Sequence, residues 1–128
     1  MTNKLTNERG QTMTELALVL PILVVLVLAI AQFGIAFNNY VTLTDAARAG
    51  ARVGAVSRQS TNPANACVAA VRNAAGTLTQ ANLSVNCSSP WMVGSDVTVS
   101  ASYPYSISLL GWVVANGNLN TTMTERVE

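Results

Sequence analysis

Residues 16–37 read LALVLPILVVLVLAIAQFGIAF, a run of 22 residues that carries no charge and has Gln32 as its one obviously polar side chain. At about 1.5 Å per residue, a helix of this length reaches roughly 33 Å, which is enough to cross the hydrocarbon core of a bilayer. The residues after Phe37 are mostly small and polar, with few large side chains. The sequence therefore predicts one membrane-spanning helix and one small domain.

Glu15 lies immediately before this run, where a carboxylate is costly unless another group offsets its charge. Thr12 and Glu15 have the spacing of a capping box, and the positive end of a helix dipole also favours a glutamate there. A second interpretation pairs Glu15 of one subunit with the α-amine that cleavage after Gly10 would create on Gln11 of a neighbour. Physics alone favours the capping interpretation, and the two are compatible.

The helix is predicted to continue well beyond the membrane, from about Thr12 to Val56, because residues 39–57 contain no proline and are rich in alanine. Pro21 removes one backbone hydrogen bond inside the helix and predicts a kink. Three very small residues recur at four-residue spacing, namely Ala46, Gly50 and Gly54. Because such a face lets another helix approach closely, these three residues are predicted to be helix-packing positions.

A second, shorter helix is predicted to begin at Asn62-Pro63, where a capping residue precedes proline, and to end at Gly76. Its apolar face consists of Ala66, Cys67, Ala70, Val71 and Ala74. Beyond it, apolar residues alternate as in strands over residues 83–87, 97–107 and 119–127. The predicted fold class is therefore α+β: a long transmembrane helix that continues outside the membrane, a short second helix and a small antiparallel β-sheet.

Two further expectations concern the sheet. Proline cannot donate a hydrogen bond to a strand ladder, so Pro104 predicts an edge strand or a bulge. The apolar residues that follow are predicted to form a crossover between the second and third strands; they are Leu109, Leu110, Trp112 and Val113. Trp112 is interpreted as core, in preference to a contact with the membrane or a neighbouring subunit.

The chain has no histidine and two cysteines, Cys67 and Cys87. These counts exclude Ser/His/Asp and Cys/His catalysis and four-cysteine clusters, so no catalytic residue, metal or cofactor is predicted. In an oxidising compartment, a disulfide closing a loop of about 20 residues would contribute roughly 3 kcal/mol. Two unpaired buried thiols are the alternative. The net charge of +1 does not indicate nucleic-acid binding.

Three segments of the chain are informative together. They are Arg9-Gly10-Gln11-Thr12-Met13-Thr14-Glu15, the apolar run of residues 16–37, and the segment AARAGAR of residues 46–52. Together they resemble the TadE-like family of pseudopilins, which are minor pilin-like proteins of the tight-adherence (Tad, Flp, type IVb) pilus system. The similarity covers roughly the first 55 residues, and the ending of residues 122–128 also looks like TadE-type C-termini.

The resemblance implies that a prepilin peptidase, an aspartyl protease of the bacterial inner membrane, cleaves between Gly10 and Gln11. Glu15 would be the fifth residue of the mature chain and would serve in peptidase recognition or in pairing with a neighbour's amine. The domain after Phe37 would face outward, and the non-enzymatic subunit would assemble into, or prime, an extracellular pilus with other pilins and pseudopilins. In that bundle the small-residue face of the long helix would meet the helices of neighbouring subunits. Many type IV pilins carry a methylated phenylalanine where this chain has Gln11.

On this interpretation, residues 1–10 are a prepilin-type leader, residues 11–57 are the long helix with its transmembrane segment 16–37, and residues 58–128 are a small extracytoplasmic α+β domain. The alternative function is an uncleaved, signal-anchored binding module in which Glu15 only caps its helix. A membrane-tethered thiol enzyme that uses Cys67 and Cys87 is a more distant rival, since the cysteines do not form a C-x-x-C motif.

Overall fold

The computed structural model describes the backbone of Asn3–Glu128 and the side chains from Gly10 onward. The side chains of the predicted leader before Gly10, and Met1 and Thr2 altogether, lie outside the described residues. The elements are helices α1 (Asn3–Val56) and α2 (Pro63–Ala74), a short 3-10 turn (Gln80–Asn82), and strands β1 (Ser84–Ser88), β2 (Asp96–Leu109) and β3 (Trp112–Arg126). The predicted α+β class is confirmed.

Helix α1 ends at Val56, as predicted, but its predicted start at Thr12 is wrong because the helix already begins at Asn3. A glycine inside a helix costs about 1 kcal/mol relative to alanine, which is too little for Gly10 alone to end it. The helix also continues through Pro21. The kink expected there stays a prediction.

Helix α2 begins as its sequence predicts. The side-chain oxygen of Asn62 accepts a hydrogen bond from the backbone N–H of Asn65 at 3.1 Å, and Pro63 occupies the first helical position. The buried face differs by one residue from the predicted one, since Ala74 is exposed and Ala75, at the end of the helix, is buried. Cys67, Val71 and Ala75 follow one another at four-residue spacing and therefore lie on one face.

The three strands form one antiparallel sheet in the order β1-β2-β3. Strand β1 stops pairing with β2 at Ser102, so from Pro104 onward β2 has a paired strand on one side only. A residue without an N–H is tolerated at such a local edge, which confirms the edge prediction for Pro104. The register shift in the β2–β3 pair falls further along, between Ile107 and Ser108.

The predicted apolar crossover is instead a tight hairpin. Leu109 pairs with Trp112, so the turn consists of two residues, Leu110 and Gly111, which have φ values of 52° and 85°. The interpretation of Trp112 as core is wrong, because this side chain is 82% exposed. Because the turn has only two residues, β2 and β3 stay paired as far as Leu109 and Trp112, which lie beyond the end of the core.

The sheet lies along the outer half of α1. At one end the Glu128 N–H donates to the carbonyl of Ala55 at 3.1 Å, and at the other the Gln32 amide donates to the carbonyl of Ser108 at 3.3 Å. These helix positions are about 35 Å apart along the axis, a length that about 12 residues of extended strand cover. Between them lies the core, which contains Leu43, Ala46, Ala47, Ala51, Cys67, Val71, Ala75, Leu78, Leu83, Cys87, Val97, Val99, Ala101 and Val127.

A disulfide joins Cys67 of α2 to Cys87 of β1, which confirms the predicted bridge. Both residues belong to the core, whose remaining members are mostly alanine and valine. Since such small side chains bury little apolar surface, the covalent link supplies a large share of the domain's stability.

Replacing both cysteines by alanine is therefore expected to lower the free energy of unfolding of the domain by about 3 kcal/mol, because the unfolded chain gains the freedom of the opened loop. Urea unfolding of the full chain in detergent, followed by near-UV circular dichroism, measures this loss. A reducing agent should produce the same loss in the parent and leave the variant unchanged. Equal midpoints for parent and variant without reductant would contradict the expectation.

Candidate processing and assembly site

The residues predicted to be cut and to pair lie on an exposed stretch of α1. The Thr14 hydroxyl donates to the carbonyl of Gly10 at 2.9 Å, and the Gln11 side-chain amide donates to a Glu15 carboxylate oxygen at 3.4 Å. Both contacts join residues one helical turn apart. Gly10, Gln11 and Glu15 therefore lie within about 8 Å along one helix, with their side chains open to a partner.

Thr12 and Glu15 do not cap the start of α1 in the uncleaved chain. A capping box satisfies N–H groups in the first turn of a helix, and Thr12 stands nine residues after the start of α1 at Asn3. The backbone N–H groups here have helical partners instead. Nothing at the start of the helix therefore explains a glutamate at this position.

Glu15 has no cation beside it among the described residues. The one ion pair found there joins Arg48 to Asp45 at 3.1 Å, on an exposed face well outside the apolar run. Gly10 is equally unconstrained, since a Cβ atom added to it would meet nothing within 4 Å. Among the described residues, Glu15 has the Gln11 side-chain amide as its partner, and Gly10 has free space around it.

The apolar run that follows Glu15 is not a core for the rest of the chain. Most of its large side chains are exposed; Leu18 and Phe37, near its two ends, are both 69% exposed. Within the described part of the chain, α1 is the one helix long and apolar enough to cross a membrane. Because apolar surface of this extent is unfavourable in water, the run needs lipid or other apolar helices around it.

The small-residue face of α1 is used within the chain, which corrects the expectation that it meets neighbouring subunits. Ala46 is buried in the core, a Cβ on Gly50 would overlap Val71 of α2, and a Cβ on Gly54 would lie 2.9 Å from Val97 of β2. The close approach predicted from the spacing is thus to α2 and the sheet of the same molecule. This face is not available to another pilin.

Sequence reasoning missed the contact between Gln32 and the hairpin. Gln32 was recognisable as the lone polar side chain of the apolar run, but no local pattern indicated its partner, the carbonyl of Ser108, 76 residues away. The described residues contain no group of three or more His, Cys, Asp or Glu side chains that could hold a metal ion.

These features describe an α+β protein whose long helix is apolar enough to span a membrane and carries a small disulfide-bonded domain beyond the apolar stretch. Residues 10–52 match the family model described as TadE-like protein, which confirms the resemblance over the helical segment of the chain. Searches of curated proteins and of solved structures find no match to this chain. The TadE-like match connects the helix to pilin-like proteins associated with the Tad pilus.

Proposed function

We propose that the chain is a TadE-like pilin subunit that is inserted in the bacterial inner membrane through residues 16–37, cut between Gly10 and Gln11, and then assembled into a Tad-type pilus or used to prime one. The observation that carries this proposal is the family match, which begins at Gly10 and covers the span and the AARAGAR segment. The role is structural and involves no catalysis.

The geometry around Glu15 supports the cleavage step. Cutting after Gly10 frees the α-amine of Gln11, one helical turn from Glu15. The four N–H groups at the new end of the helix lose their partners, and the positive end of the helix dipole moves there. A carboxylate one turn away from this charge is stabilised, and in a bundle of helices it can also pair with the amine of a neighbour.

The disulfide supports an outward-facing domain. Structural disulfides persist outside the cytoplasm, where thiols are not kept reduced. The Cys67–Cys87 bridge lies entirely after the span. We therefore place the leader and the cleavage bond on the cytoplasmic side, within reach of a membrane-bound prepilin peptidase, and the domain on the other side.

One observation favours the alternative of an uncleaved, signal-anchored module. Helix α1 runs without interruption from Asn3 across the bond between Gly10 and Gln11. A protease requires an extended backbone at the bond it cuts, so the peptidase must first unwind the helix locally. Glycine, which is the weakest helix former after proline, lowers the cost of this unwinding.

Intact mass of the membrane-extracted protein, with and without a co-expressed prepilin peptidase, tests the proposal. The expected result is the loss of residues 1–10 when the peptidase is present and no loss when it is absent. An unchanged mass in both samples would contradict the processing step and leave the signal-anchored module as the function.

Replacing Gly10 by valine is expected to slow cleavage at least about tenfold, which a rise of only ~1.4 kcal/mol in the activation barrier produces. The reason is that a branched side chain must enter the peptidase beside the cut bond, while the chain itself has room for it. Gly34→Val is the matched control, because a Cβ on Gly34 also meets nothing within 4 Å. Equal processing of the two variants would contradict a glycine requirement.

A further inference from the structure

The end of the β2–β3 hairpin, residues 109–114, is an apolar surface without a partner among the described residues. We call it the hairpin tip. Its exposed side chains include Leu110 at 73%, Trp112 at 82%, Val113 at 60% and Val114 at 64%. Isolated apolar side chains on a surface are ordinary, but four of them within five residues indicate a contact surface.

The hairpin tip lies beside the membrane-spanning part of α1. The hydrogen bond from Gln32 to the carbonyl of Ser108 fixes the strand that leads into the tip at the level of Gln32. A span of about 20 residues counted from Leu16 ends near residue 35, so Gln32 lies roughly 5 Å inside the hydrocarbon boundary. The tip begins directly after Ser108, on the side away from the charged end of the sheet, so it lies deeper than Gln32.

The exposure of side chains along the apolar run also indicates that the hairpin lies against this part of α1. The least exposed residues of the run 16–37 are Val25, Ala29, Gln32 and Ala36. Their spacing of four, three and four positions places them on one face of the helix, and it is the face from which Gln32 reaches the hairpin. The hairpin therefore follows the helix into the span and does not stop at its end.

The charges of the hairpin are confined to the opposite end. No residue from Val97 to Thr124 is charged, whereas Asp96, Glu125 and Arg126 lie at the end of the hairpin farthest from the tip. This distribution of charge is expected for a domain whose uncharged end faces the bilayer, since charges are strongly disfavoured near hydrocarbon. Tryptophan is a residue enriched at this boundary.

Leu110 occupies a turn position whose backbone conformation is unfavourable for leucine. Leu110 has a φ of 52°, in the left-handed region where asparagine or glycine is preferred at the first position of a two-residue hairpin turn. Turn geometry thus gives no reason for leucine here. A large apolar side chain kept at a strained position, at the outermost point of an exposed turn, indicates a role in contact with an apolar medium.

From these observations we propose that the hairpin tip docks into the outer leaflet of the bilayer that holds α1, as a second membrane attachment of the same domain. The hydrogen bond from Gln32 satisfies the carbonyl of Ser108 at this depth, where an unpaired backbone group is costly. The occupant of the surface is lipid, because the tip is continuous with the lipid-facing helix. This inference rests on the insertion of α1 that the proposed function includes.

The two tryptophans provide the test. Trp91 precedes β2, in the loop whose Gly94 N–H bonds to Val127 at the charged end of the sheet, and Trp112 is in the tip. The full chain is reconstituted at high lipid-to-protein ratio in phosphatidylethanolamine/phosphatidylglycerol vesicles that contain lipid brominated near the headgroup end of the acyl chains. Fluorescence is measured on the floated vesicles. W91F then reports on Trp112 alone, and W112F reports on Trp91.

We expect bromolipid to quench Trp112 several-fold more strongly than Trp91, with a shift of the Trp112 emission to shorter wavelength. Adding L110N and V114N to W91F should lower this quenching about twofold, because the tip loses apolar area that holds it in the interface. The matched control is M92N with V93N, since Met92 and Val93 are 64% and 67% exposed at the opposite end of the sheet. This control should leave the quenching unchanged.

Several results would overturn the proposal. Equal quenching of the two tryptophans would place the tip in water, and equal effects of the tip and control substitutions would remove its apolar residues from the contact. Shielding of Trp112 that appears only at low lipid-to-protein ratio would assign the tip to a second copy of the chain. Protein that fails to float with the vesicles would contradict the insertion of α1, and with it the docking of the tip.

Discussion

Replacing Glu15 by alanine is expected to leave membrane insertion intact and to reduce the number of pili at least about tenfold. Insertion is driven by residues 16–37, and removal of a charge beside them does not weaken it. Assembly, in contrast, buries the new amine of Gln11 among apolar helices. Removing one partner of an ion pair in such surroundings costs about 3–5 kcal/mol, because the remaining charge is left buried without a partner.

Two measurements on the strain that carries the protein separate insertion from assembly. Membrane fractionation reports insertion, and counting of surface filaments by electron microscopy reports assembly. Thr14→Ala is the matched control, because it removes an uncharged side chain next to Glu15 in the same helix. Normal filament numbers in the Glu15→Ala strain would show that the carboxylate has no role in assembly.

Replacing Gly50 by valine is expected to prevent the outer domain from folding stably. A Cβ at this position would overlap Val71 and would lie 3.3 Å from the carbonyl oxygen of Cys67, and valine adds two further methyl groups. Forced overpacking of a core costs about 1–3 kcal/mol and occasionally more. A small domain whose core is built largely from alanine and valine has little stability to lose, so a cost at the upper end leaves most molecules unfolded.

The result can be read from the near-UV circular dichroism and urea midpoint of the full chain in detergent. Gly34→Val serves again as the control, since it introduces the same side chain into the same helix at a site with free space. A parent-like midpoint for the Gly50→Val variant would mean that α2 can move away from α1 at little cost. The close packing of the two helices would then not be a requirement of the fold.

Much of the fold follows from signals that are local in the sequence. Asn62 and Pro63 mark the start of α2 because a side-chain cap and a proline act within one helical turn. Alternation of apolar residues identified β1, β2 and the second half of β3, since the strand period is a property of each segment alone. The disulfide could be predicted because the chain has only two cysteines and both belong to a domain beyond a predicted membrane span.

The features that sequence reasoning missed depend on how distant segments meet. The face of Gly50 and Gly54 was correctly recognised as a surface for close approach, but sequence spacing could not distinguish an approach within the molecule from one between subunits. Trp112 was assigned to the core because a large aromatic residue is usually buried. Its exposure follows from the length of the hairpin, which depends on the pairing of β2 with β3.

The hairpin covers one side of the upper part of the apolar helix and leaves the other side open. On the side of Val25, Ala29, Gln32 and Ala36 the helix is shielded within its own molecule, whereas from Gly10 to Val24 it is open around its whole circumference. Neighbouring helices can therefore surround α1 at the end that carries Glu15, but near Gln32 they are limited to the remaining arc. In the bundle proposed above, such helices would be tightly packed at the end that carries Glu15 and farther apart at the end that carries Gln32.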